Sequence, residues 1–222
     1  MALLQGTFEK RIFLVRIILY FLTLGLSPAQ GGEWVLVSDA PQLTVYMRDV
    51  GASSVPEFKA VGIVDALPSV CWNVIQDFAS YTNTMPFVKE SRIINQDSDG
   101  IYLYSIIDPN RSLVWPRDFT IKVSSDSSAM TMKWSIADNW GPEVQAGYVR
   151  VKKNTGSWQL RPLPGDGTKT EVTYQIHTEP GGVLELGSKV LPNWVQLWVN
   201  SDALPELFRK LADAVKLIKY QQ

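Results

Sequence analysis

The sequence predicts an α+β fold, one strongly curved antiparallel sheet with a long C-terminal helix packed on it. Three observations predict it. Between residues 89 and 179, apolar and polar residues alternate through a succession of short runs, the period-two pattern of antiparallel strands with one dry and one wet face. From residue 194 the spacing changes to three and four, the pattern of an amphipathic helix. No repeat, low-complexity tract or long linker divides the 222 residues, so one domain is expected.

The elements follow in order. "EWVLVSD" (33–39) and "LTVYMRD" (43–49) read as strands joined by a turn at Ala40-Pro41, and "EFKAVGIVD" (57–65) as a third. In "LPSVCWNVIQDFASYT" (67–82), Val70, Val74 and Phe78 fall four apart, with Trp72 and Ile75 alongside and Pro68 in the first turn, which predicts a helix. Strands resume with "KESRIINQDS" (89–98) and "GIYLYSII" (100–107), then "RDFTIKVSS" (117–125) and "AMTMKWSI" (129–136). "YVRVKK", "GSWQLRPL" and "TEVTYQIHTE" continue the pattern to residue 179. Alternation places Phe119, Ile121 and Val123 on one face of their strand, and Met132 and Trp134 on one face of the next, with Tyr174 and Ile176 supplied further along. In the last helix Trp194, Trp198, Ser201, Pro205, Phe208, Ala212 and Val215 share a face. Pro205 cannot donate to the carbonyl of Ser201, so a kink is expected there. A sheet that wraps a helix in this way is a helix-grip arrangement, and the space between the two suits a ligand.

Composition narrows the function. A formal net charge of −1 lacks the basic excess of a nucleic-acid binder, so no nucleic-acid partner is expected. Cys71 is the only cysteine and His177 the only histidine, which argues against a zinc site and leaves no internal disulfide. Lys10, Arg11 and Arg16 precede the apolar run "IILYFLTLGL" (17–26), and Ser27-Pro28-Ala29 follows with small residues at both ends. This reads as a secretory signal peptide over residues 1–29, cleaved near Ala29, ahead of a single domain over residues 30–222. The run is shorter than the ~20 residues of an ordinary membrane-spanning helix, although retention as an anchor is the competing reading. The mature chain would carry 18 basic and 21 acidic residues, a net charge of −3, and would lie in a periplasm or be secreted.

Few residues suggest reaction chemistry. None of the nucleophile-elbow, zinc-protease, P-loop or dinucleotide motifs is present, so neither a catalytic residue nor a cofactor is expected. His177 shares a strand face with Thr173 and Gln175, which predicts an ordinary histidine on the wetter side. Cys71 reads as a small buried hydrophobe. Asp97 and Asp99 in "NQDSDG" lack the later bidentate Glu of a calcium loop and read as a plain turn. The stretch "LVWPRDF" (113–119) places two charges at the mouth of an apolar strand. Here the expectation is architectural, with Arg117 pairing with a nearby carboxylate and Asp118 capping or bridging a loop.

With these elements in order, the chain resembles the START family, the StAR-related lipid-transfer domains within the Bet v 1-like superfamily. The resemblance spans roughly residues 34–217. It rests on "WPRDF", on Trp34 before "VYMR", on "FKAVG" (58–62) and "VKESRII" (88–94), and on "YVRV" (148–151). Trp158 before "LRPL", "TKTEVTYQIHTEPGG" (168–182) and "LPNWVQLWVN" (191–200) complete it. Some sterol-carrying members place an arginine in the cavity where this chain has Val123. The resemblance implies a lipid-sized tunnel between sheet and last helix, with Phe119, Ile121, Val123, Met132, Trp134, Tyr174, Ile176, Trp194, Trp198 and Phe208 as its ligand-binding residues. It also implies a gate that includes the loop Ser124–Ala129 beside the helix. Because Pro205 interrupts the helix, its N-terminal half, residues 194–200, is expected to swing about that proline as the gate opens.

Three functions compete on this basis. A non-enzymatic carrier of a lipid or other hydrophobic small molecule, monomeric and in transient contact with membranes, needs no reactive residue. A polyketide cyclase or aromatase of the same superfamily would need a positioned acid or base, for which Tyr102, Tyr104, Tyr174 or Arg150 could serve. The third is a binding module whose ligand is a signal.

Overall fold

The computed structural model describes residues 31–51, 53, 55–109, 115–144, 146–179, 181 and 202–221. Ten strands form one sheet, β1 (Val35–Ala40), β2 (Leu43–Arg48), β3 (Glu57–Val64), β4 (Val88–Asp97), β5 (Gly100–Ile107), β6 (Arg117–Asp126), β7 (Thr131–Ile136), β8 (Val149–Arg150), β9 (Lys153–Leu163) and β10 (Asp166–Glu179). Their order is β1-β2-β3-β10-β9-β7-β6-β5-β4. Every neighbour on that path is antiparallel. Among the described residues three α-helices complete the α+β helix-grip fold, α1 (Pro68–Gln76), α2 (Tyr81–Thr84) and α3 (Leu204–Ala214). Helix α1 packs on β9 and β10, and α3 on β3. The core lies between these helices and the sheet, where Cys71, Ile75, Leu103, Leu160, Val172 and Leu211 are almost wholly buried.

Most predicted strands form within a residue or two of their expected ends. The turn at Ala40-Pro41 separates β1 from β2, and Asp97 makes a plain turn by accepting from the amides of Asp99 and Gly100. Gly165, at φ +82°, makes the tight turn between β9 and β10, a conformation glycine adopts without steric cost. The helix expected over 67–82 is broken in two. Asp77 leaves the helical region at φ −81°, ψ 71°, and its carboxylate accepts from Lys219 Nζ at 2.8 Å and from the Tyr220 hydroxyl at 2.9 Å. The C-terminal turn is thereby tied to the break.

Pro205 is the second residue of α3, and Asp202 and Ala203 directly before it are already helical, in the wider π form, so the winding changes at the proline where the kink was expected. Trp194, Trp198 and Ser201 lie outside the described residues, as does the helical half expected to swing about Pro205. The expected loop Ser124–Ala129 is shorter than its sequence suggests. Strand β6 continues to Asp126, with Ser124 and Ser125 paired to Lys133 and Met132, and the Asp126 carboxylate caps the amides of Ser128 and Ala129.

The expectation of one dry and one wet face fails at the start of β6. Asp118 and Thr120, on its outer face, are fully buried. The segment between β7 and β9 folds over them. Its two-residue strand β8, read from "YVRV" as a continuation of the antiparallel pattern, instead runs parallel to β6, pairing Arg117 with Val149 and Asp118 with Arg150. Gly141 sits so close that a side-chain carbon there would lie 2.4 Å from Thr120 Oγ1.

Candidate functional site: an apolar cavity under the sheet

Between sheet and helices lies a cavity of about 280 Å³. Its walls follow from strand alternation. Strand β6 turns Phe119, Ile121 and Val123 inward. Met132 and Trp134 follow from β7, and Tyr174 and Ile176 from β10. Seven of the ten residues singled out in the sequence therefore meet at one cavity. Phe208 does not. Its ring packs over Gly62 of β3, where a side-chain carbon would lie 2.4 Å from the ring, so Phe208 fills a slot that the glycine leaves. Leu204 and Leu207, on the neighbouring stripe of α3, reach the cavity in its place. Trp194 and Trp198 lie outside the described residues.

The sequence reading passed over other parts of the wall. Leu103, Ser105 and Ile107 come from β5, Asn154 and Trp158 from β9, and Thr178 from the end of β10. The same period-two rule could have found them, since each lies an even number of residues from another inward position or pairs directly with one. Phe78 and Tyr81, from the broken helix, close the helical side. That contribution depends on the break at Asp77, which periodicity did not reveal.

Polar atoms in the wall are few and mostly engaged. Trp134 Nε1 donates to Asn154 Oδ1 at 2.9 Å, and the Tyr81 hydroxyl donates to the carbonyl of Ile75 at 2.5 Å. The Tyr174 ring lies between two indoles, its centroid 4.4 Å from Trp158 and 5.7 Å from Trp134. Burial pushes the pKa of both Tyr81 and Tyr174 upward, so both hydroxyls stay protonated at neutral pH. No Asp, Glu or His is found among the described lining residues. No cluster of metal-ligating side chains occurs among the described residues either.

The Arg117-Asp118 pair divides between the faces: Asp118 bridges to the covering segment as expected, whereas Arg117 has no carboxylate partner among the described residues. Asp118 makes the ion pair, accepting from Arg150 Nη2 at 2.7 Å and Nε at 3.0 Å, with the Tyr104 hydroxyl donating at 3.2 Å. The carboxylate holds the Arg150 pKa up, while burial and then Asp118 push the Tyr104 hydroxyl to about 12. Arg117 lines the cavity, on the same face as Phe119, Ile121 and Val123. Two residues before Phe119, it shares that face by the same alternation that marked the apolar wall, a signal available in the sequence and not used. Tyr104 and Arg150, candidates for an acid or base, are thus committed to Asp118 on the outer face. Tyr102 stacks at 4.4 Å on Trp140, outside the cavity wall. Of the four, only Tyr174 reaches the cavity.

His177 also departs from expectation. It lies on the outer face as its register requires, yet it is only 4% exposed. The loop before β3 covers it, and its Nε2 lies 3.1 Å from both Ser53 Oγ and the Val55 carbonyl. Burial, and then the charge of Lys153, push its pKa down. Cys71 is buried in α1 as expected, and burial raises its thiol to about 11.

Comparison with known proteins gives the same picture. Residues 64–191, more than half the chain, match the family described as polyketide cyclase / dehydrase and lipid transport. An uncharacterized Pseudomonas aeruginosa protein is 29% identical over 168 residues, covering 73% of this chain and 77% of its own. The mouse phosphatidylcholine transfer protein is 22% identical over 191 residues, covering 83% of this chain and 84% of its own. The crystal structure of a STAR-related lipid transfer protein from Xanthomonas axonopodis superposes with a TM-score of 0.66 at 23% identity, covering 83% of this chain and 99% of that one.

Proposed function

The chain belongs to the polyketide cyclase / dehydrase and lipid transport family, with a START-type helix-grip fold, and on that premise we propose that it is a non-enzymatic carrier of a hydrophobic ligand. The observation that carries this reading is the cavity wall, which is mostly aromatic and aliphatic and holds, among its described residues, no carboxylate or imidazole to move a proton at neutral pH. The names of the mouse and Xanthomonas relatives, both lipid-transfer proteins, support it.

The physical task is desolvation. A sixteen-carbon chain exposed to water forfeits about 13 kcal/mol at ~0.8 kcal/mol per methylene, which makes unaided crossing of an aqueous compartment slow. An apolar cavity offsets most of that cost without any reactive group. The cyclase reading would assign proton transfer to Tyr174, whose hydroxyl is held protonated by burial and carries no adjacent base among the described residues. The signal-like segment at residues 1–29 supports a carrier that works outside the cytoplasm, in a periplasm or secreted. Full-length protein in the cytosolic fraction would overturn that placement.

Native mass spectrometry of protein purified from its own host is expected to show a bound lipid. A Met132→Arg variant, which sets a cation against the apolar wall, is expected to take up no fluorescent lipid. A folded Met132→Arg protein that binds as well as the parent would move the ligand out of this cavity.

A further inference from the structure

One group in the cavity wall is charged. Arg117 lines the cavity and is 8% exposed. Its Nε has no hydrogen-bond partner, and its Nη1 donates to the main-chain carbonyl of Trp115. No carboxylate pairs with it among the described residues. Its neighbour Asp118 faces the other side of the sheet, where Arg150 and Tyr104 engage it. A guanidinium stays charged at any physiological pH, and an uncompensated charge away from water is strongly disfavoured. Arg117 thus carries a charge that no described carboxylate balances and that an anion would balance.

The position of that charge is specific. The ladder pairs Ile107 with Arg117 and Ser105 with Phe119. It pairs Trp134 with Gly156, which sets the inward Asn154 beyond it toward the same end, and it pairs Asn154 with Thr178. Ser105, Arg117, Asn154 and Thr178 therefore collect at the end of the cavity where β6 begins. Toward the other end, the wall is formed by Val123, Met132 and Trp158. The cavity is polar and cationic at one end and apolar at the other.

The geometry points to an acidic amphiphile as the ligand, its carboxylate or phosphate held by Arg117 and its hydrocarbon laid toward Met132 and Trp158. The guanidinium fork suits either acid, because both offer two oxygens to parallel N–H donors. This inference rests on the carrier reading, and the experiment separates the two.

Binding of oleate, oleoyl lysophosphatidate and uncharged oleyl alcohol is measured by fluorescent-probe displacement on the full mature chain, below each lipid's aggregation concentration. The expected result is a roughly ten- to hundredfold preference for one or both acids over the alcohol, the range of a charge-assisted hydrogen bond. Oleate alone preferred points to a fatty acid, and lysophosphatidate alone to a phosphate-headed lipid. Arg117→Met is expected to bind the three alike and, having lost an uncompensated charge, to melt no lower than the parent when empty. Arg117→Lys keeps the charge and should retain part of the preference, which keeps the test open if the methionine variant does not fold. Equal binding of acids and alcohol by the parent protein would overturn the inference and leave the carrier reading standing. Failure to bind any of the three would overturn both.

Discussion

On the outer face of β6, the Arg150 guanidinium closes a bidentate pair on Asp118 while Tyr104 adds a third hydrogen bond. On the inner face, one residue earlier, Arg117 is also largely buried and has no carboxylate partner among the described residues. The two arginines lie one ladder position apart, on opposite faces, and share a desolvation problem that they solve differently. The outer one is satisfied by the protein and holds the β7–β9 segment over the sheet. The inner one is left for something the protein does not itself supply. A buried charge with its partners present belongs to the architecture, whereas one without them marks where a ligand is to be sought.

The comparison can be broken most directly at Asp118. If the outer cluster is architectural, Asp118→Ala strands Arg150 beside fully buried Thr120 and should cost about 3–5 kcal/mol of stability. The measure is the urea midpoint at constant slope. A loss below about 1 kcal/mol would mean that water or a rearranged segment rescues Arg150 and that the cluster holds little together.

Tyr104→Phe tests the third member of the same cluster. It removes one hydrogen bond to an ionised group whose other partners remain, so a smaller loss of about 1–2 kcal/mol is expected. Because Tyr104 faces away from the cavity, lipid binding should be unchanged. A change in ligand affinity with stability intact would tie the two faces together and dissolve the contrast.

The smallest effect concerns His177, the other buried titratable group on the outer face. Its folded pKa is depressed, by burial first and by Lys153 second, against an unfolded value of ~6.5. The unfolded chain therefore binds more protons than the native one in the window below ~6.5, so stability is full above that pH and falls as pH drops through it toward the folded pKa. Besides Ser53 and the Val55 carbonyl, the charged groups acting on it are Lys153, Glu179 and Glu57. Thermal melts between pH 7 and 5.5 should show a modest decline that His177→Gln flattens. An identical slope in both proteins would assign the decline to the carboxylates.

Much of this molecule can be read from the residues in order. The strand sequence from Val35 to Glu179, the turns at Ala40-Pro41 and Asp97–Gly100, and the inward set Phe119, Ile121, Val123, Met132, Trp134, Tyr174 and Ile176 all follow from period-two alternation. Alternation is local, because successive side chains of an extended chain must point to opposite sides. What each side then meets is not local. Asp118, Thr120 and His177 point outward as their register demands, yet they are buried because the β7–β9 segment and the loop before β3 fold over them. The break at Asp77 depends on Lys219 and Tyr220, more than a hundred residues away in the chain. The choice of Leu204 and Leu207 over Phe208 at the cavity depends on a glycine in β3. The division of roles between Arg117 and Asp118 has the same origin. Their adjacency put them on opposite faces, but only the arrival of Arg150 from β8 decided which charge would be paired. The strands, their faces and the apolar wall are legible residue by residue, since they need only the geometry of neighbours along the chain. Which polar groups are satisfied depends on the folded arrangement, because partners for a buried charge come from distant parts of the chain.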